Sequence, residues 1–153
     1  MASEPARPAE QRKVDTLAKL ARPNVDVWVA TATAEGDAHL VPLSLAWDGD
    51  RVLLAIERRS KTYANLDRHR RARLAVGPER DVVMIDGVVV SFIDAGRAPS
   101  AIAETYARQA DWDPRDDPDG YVYIVLVPER IQAWREANEI KGRTLMRHGQ
   151  WLV

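Results

Sequence analysis

The sequence predicts a mainly β fold with short helices, α+β by class, in which an antiparallel sheet closes into a barrel. Three observations carry this expectation. Val25, Val27, Val29, Thr31 and Thr33 alternate with Asp26, Trp28, Ala30 and Ala32, the period of a strand. Tight turn signals at Glu35-Gly36-Asp37 and Asp48-Gly49 join three consecutive β-rich runs, which makes a meander and not a βαβ unit. Helical spacing is confined to short stretches. Six or seven sequential strands of this kind avoid exposed edges by closing on themselves.

Residues 1–8 hold Pro5 and Pro8 without periodicity and are expected to be a disordered tail, with a single domain over residues 9–153. From Ala9 to Ala21, Val14, Leu17, Ala18 and Ala21 share one helical face, and Pro23 bars the helix from continuing. Strands follow over residues 25–33, 39–47 and 51–57. Asp48-Gly49 between the last two is the strongest short hairpin signal, since both central residues of a type I′ turn need positive φ. Ser60 to His69 reads as a short helix with Ser60 as its N-cap. Residues 72–76 form a fourth strand. Residues 81–93 read as one long strand with a glycine bulge at Asp86-Gly87, preferred to a hairpin because four-residue arms are short. Residues 100–110 are helical, with Ile102 and Tyr106 at i, i+4, and residues 111–120 make an acidic loop. Two strands, 121–127 and 130–135, are expected on either side of Pro128-Glu129. Residues 144–153 add a last short strand carrying Trp151.

Composition removes several classes of function. The chain has 153 residues, 22 Lys+Arg against 23 Asp+Glu, so net charge favours neither nucleic acid nor membrane. It has no cysteine, which excludes disulfides, thiolate metal sites and a Cys nucleophile. No apolar run approaches a membrane span, and MASEPARPAEQRK lacks the apolar core of a signal peptide, so a cytoplasmic protein is expected. There is no G-x-G-x-x-G, no P-loop and no G-x-S-x-G. His39, His69 and His148 lie far apart, and no metal site is expected. The aspartates of residues 111–119 lack the spacing of a calcium loop and read as solvated. Trp112 within that loop must pack somewhere, as a lid over a pocket or a subunit contact.

The candidate chemistry lies at residues 38–66. Arg58-Arg59-Ser60-Lys61-Thr62 follows directly from a buried strand and opens a helix. Cations beside a helix N-terminus bind phosphate through charge-assisted hydrogen bonds. In the preceding strand Pro42 cannot donate to a ladder. It marks an edge, a bulge, or a place where a ligand takes over the pairing.

The order A-H-L-V-P-L-S-L, D-G, V-L-L-A-I-E, R-S-K-T-Y-A-N-L, R-A-R-L-A-V and the closing V-P-E-R-I-Q-A-W-R-E resembles the pyridoxamine 5′-phosphate oxidase-like family over residues 10–136. The resemblance implies a six-stranded split β-barrel that forms a homodimer with two cofactor sites at the subunit interface. It places the ring of FMN, or of the deazaflavin coenzyme F-420, against Leu40, Val41, Pro42 and Leu43. It places the phosphate at Ala55, Arg59, Ser60 and Lys61, with Thr62 and Asn65 beside them. Trp134 and Arg135 are the residues a partner subunit would bring. His39 stands where pyridoxamine-phosphate oxidases carry a phosphate-binding arginine, and Ala55 replaces a hydroxyl, so vitamin-B6 oxidation is not the expected reaction. The implied function is hydride transfer to or from a small organic substrate by a flavin-type oxidoreductase. The alternative is a flavin or haem binding or sensor protein without turnover.

Overall fold

The structure is a computed structural model and describes residues 4–153. Eight strands and three helices follow in the order α1 (Ala9–Leu20), β1 (Val25–Ala32), β2 (Ala38–Trp47), β3 (Val52–Glu57), α2 (Lys61–His69), β4 (Arg71–Val76), β5 (Val82–Asp94), α3 (Ser100–Ala110), β6 (Tyr121–Trp134), β7 (Thr144–Arg147) and β8 (Gln150–Trp151). The sheet runs β3-β2-β1-β4-β5-β6, and β3 pairs back onto β6, so six antiparallel strands close into a barrel. β7 and β8 extend it as a hairpin on β6, turned by His148 and Gly149, both at positive φ.

Two cores result. Leu45, Leu54, Leu74, Ile85, Ile124 and Leu126 fill the barrel and are fully buried. Outside it, α3 lays Ala103, Tyr106 and Ala110 over Ala46, Leu53, Ala55, Tyr123 and Val125. β3 is therefore buried on both faces, which is why it reads as an unbroken apolar run.

Four expectations change. The 121–127 and 130–135 strands are one strand, β6. Pro128 does not break it because it stands opposite Gly87, where the β5–β6 register shifts and Glu129 is left over between Pro128 and Arg130. The bulged residue is thus on β6, and a second irregularity leaves Val90 unpaired on β5. The Asp48-Gly49 turn is a four-residue loop and not type I′. Only Gly49 has positive φ, and the Asp48 carboxylate accepts the N–H groups of Asp50 and Arg51 at 3.0 and 2.7 Å. α1 does not bury Val14, which is 60% exposed. Its inner face carries Arg12, Thr16, Lys19 and Leu20, and the Arg12 guanidinium donates to the Ala133 and Gly142 carbonyls. Of the expected tail, residues 1–3 lie outside the described residues. Arg7 is anchored by hydrogen bonds to Glu139, Asp15 and Asp81.

Gly87 is required by closeness. A Cβ there would overlap Leu126 Cδ2 and meet Leu126 Cγ at 2.8 Å and the Val127 carbonyl at 3.0 Å. Gly87→Ala is expected to lower stability by about 1–3 kcal/mol, the usual cost of overpacking, read as a lower urea midpoint. A wild-type midpoint would show that Leu126 yields freely.

Candidate functional site

The barrel is split between β2 and β3. β2 pairs with β1 in unbroken register from Ala38↔Ala32 to Leu45↔Val25. With β3 it shares only two rungs, Ala46↔Leu53 and Trp47↔Val52. From Ala38 to Leu45, the side of β2 that faces β3 has no strand partner among the described residues. Pro42 lies on this open-edged stretch, opposite Trp28 and without a bulge. Its missing N–H breaks no register there.

A cleft of about 530 Å³ opens at the split. One wall is β2, contributing His39, Val41, Pro42, Leu43 and Ser44. The opposite wall is the end of β3, with Ala55, Ile56 and Glu57, and the start of α2, with Ser60, Lys61 and Thr62. Trp112 and Tyr121 complete the lining.

The α2 corner is built as its sequence suggests. The Ser60 hydroxyl caps the helix by accepting the Tyr63 N–H at 3.1 Å. Among the described residues, the N–H groups of Lys61 and Thr62 in the first turn have no acceptor. Arg58 is engaged by Asp94. Among the described residues, Arg59 and Lys61 have no carboxylate within ion-pair distance. The corner thus presents an exposed ammonium beside free N–H donors at the positive end of a helix, a combination suited to a phosphate. Glu57 is the one carboxylate that lines the cleft.

Of the twelve residues singled out in the sequence, Val41, Pro42, Leu43, Ala55, Ser60, Lys61 and Thr62 come together in this cleft. Arg59 lines an adjoining depression with Glu57, Arg58, Asp117, Asp119 and Gly120. Leu40 does not line the cleft and is 59% exposed. Asn65 is buried behind it, where its amide donates to Thr31 Oγ1 at 3.0 Å and ties α2 to β1. Trp134 and Arg135 lie at the far end of β6. Trp134 pairs with Val82 under the Arg143 guanidinium, and Arg135 faces Asp81 at 3.5 Å. Neither reaches the cleft of its own chain.

Tyr121, Glu57 and Ser44 were not singled out. Tyr121 arrives through the β3–β6 closure, opposite Glu57, and no local pattern announces that pairing. Behind the cleft, fully buried Tyr106 donates its hydroxyl to the Ser44 carbonyl at 3.4 Å. Burial pushes that hydroxyl well above the ordinary tyrosine range, so it stays a neutral donor.

No curated protein matches the sequence. Solved structures that match in fold include an F-420 reductase, at 20% identity over 74% of this chain and 93% of that one, with a TM-score of 0.63. General Stress Protein 26 from Bacillus anthracis matches at 16% identity over 78% and 92%, with a TM-score of 0.62. A heme binding protein from Mycobacterium smegmatis matches at 20% identity over 94% of this chain and 59% of that one, with a TM-score of 0.64. The family model of pyridoxamine 5′-phosphate oxidase matches residues 15–135, a span that runs from α1 through the whole closed barrel and its split, and the chain accordingly belongs to that family.

Proposed function

We propose that the protein binds FMN or the deazaflavin coenzyme F-420 in the β2–β3 cleft and works as an oxidoreductase on a small organic substrate. The observation that carries this reading is one juxtaposition. The unpaired edge of β2 faces the N-terminus of α2 and Lys61 across one cleft. A flat heterocycle with polar edges can take up hydrogen bonds that a missing strand leaves free. Its phosphate tail then reaches Ser60, Lys61 and Thr62.

The bound carrier would supply hydride transfer. The chain's own part is to position and to shield. Val41, Leu43, Ala55 and Ile56 give the cleft apolar walls, and Lys61 neutralises the tail. No side chain of the cleft is required as a general acid or base. A homodimer fits the same reading, since a second copy is what would bring Trp134 and Arg135 to this cleft. The barrel has no helix long and apolar enough to cross a membrane among the described residues.

His39 on the cleft wall supports a second reading, the binding of haem or flavin without turnover. A neutral imidazole is a common iron ligand. Titration of the purified protein with FMN, F-420 and haem, followed by tryptophan quenching, decides between them. Saturable binding of FMN or F-420, with reduction of an acceptor by the reduced carrier, is the expected result. Tight haem binding that His39→Ala abolishes, with no affinity for either flavin, would replace the first reading by the second.

A further inference from the structure

We infer that Trp112 and Tyr121 form an aromatic corner that receives the ring of the bound carrier. This rests on the flavin-type reading above and deepens it. Both side chains are half-buried and both line the cleft. Their ring centroids are 5.0 Å apart with planes at 68°. Two rings at that angle cannot both lie flat on one ligand. They meet each other edge to face, a favoured aromatic contact, and both border the cleft.

The corner is held rigid from behind. α3 ends at Asp111 in the left-handed conformation (φ 60°), which turns the chain back. Trp112 then packs on Tyr106 at 5.7 Å between centroids, and Tyr106 packs on Tyr123 at 5.6 Å. α3 itself is pinned to the end of β2. The Gln109 side chain accepts the Trp47 N–H at 2.9 Å and donates to the Trp47 carbonyl at 2.7 Å. The loop beyond is tied by Asp113, which accepts from the Arg115 N–H, and by Asp117, which accepts from the Gly120 N–H. A ring contact fixed in advance loses little conformational freedom on binding. Asp113 and Asp117 therefore hold the turn, and Trp112 lines the cleft.

The test compares side chains that keep or remove a ring at constant fold. The probes are whichever of FMN and F-420 the wild-type protein binds, and the same ring without its phosphate, riboflavin or its deaza counterpart. Trp112→Leu is expected to weaken both probes by about five- to tenfold. Trp112→Phe is expected to bind both within about twofold of wild type, because a ring remains. Lys61→Ala is expected to weaken only the phosphate-bearing probe. Wild-type affinity in Trp112→Leu overturns the inference, as does an equal loss in Trp112→Phe and Trp112→Leu, which would mean that bulk matters and not the ring. If Trp112→Leu unfolds, judged by its urea midpoint, the Tyr121→Phe and Tyr121→Leu pair is read in the same way, with the same outcomes. Failure of the wild-type protein to bind either carrier is a different result, and it removes the underlying reading together with the corner.

Discussion

Replacing Arg7 by alanine is expected to destabilise the protein by about 3 kcal/mol, in the range found when one partner of a buried ion pair is removed. The guanidinium donates to both oxygens of Glu139 at 2.9 and 2.8 Å, and to Asp15 at 2.8 Å. Glu139 is only 3% exposed, so the variant leaves its carboxylate with backbone donors alone, the N–H groups of Arg7 and Arg135. The same pair sets an acid limit. Hydrogen bonding from Arg7, acting against burial, lowers the Glu139 carboxyl from an ordinary 4.5 to about 2. A folded-state value below the unfolded one means that the stabilisation is complete above pH 4.5. It is lost as the pH falls from there through about 2. Urea midpoints measured between pH 7 and pH 2.5 should therefore fall towards acid in the wild type and fall less in Arg7→Ala. Parallel pH profiles for the two proteins would show that Arg7 does not hold the Glu139 proton off.

Lys61→Ala carries the second large effect, on binding and not on folding. Lys61 is exposed and has no carboxylate partner among the described residues, so its loss should leave the urea midpoint unchanged. Losing one charge-assisted phosphate contact costs about 1.5–3 kcal/mol, or roughly ten- to a hundredfold in Kd. Fluorescence titration with FMN and F-420 reads this directly. Arg59→Ala should cost less, because Arg59 lines the adjoining depression and not the cleft. Equal Kd values in Lys61→Ala and wild type would place the phosphate elsewhere.

What the sequence made legible was local. The alternation over residues 25–33 and the Ser60 cap are properties of a few neighbouring residues, and the structure forms the strand up to Ala32 and the cap as read. Three features were hidden for physical reasons. Pro128 lacks a donor, so it reads as a break, and only the register shift opposite Gly87 lets β6 run through it. Val14 is apolar and periodic, but polar side chains that find partners, Arg12 above all, hold the inner face of α1 instead. The closure of β3 on β6 joins residues far apart in the chain, and with it come Tyr121 and the wall opposite His39. The Ser60–Thr62 corner was readable as a cluster because cap, cations and helix start are contiguous. The aromatic corner was not, because α3, its turn at Asp111 and the barrel seam must all be in place before Trp112 meets Tyr121.

The lopsided pairing of β3 has one more consequence. Six rungs bind it to β6 and two bind it to β2, so the hoop is complete without any contribution from the mouth. A guest entering there displaces solvent and severs no interstrand bond. The protein should thus keep its shape with nothing in the mouth.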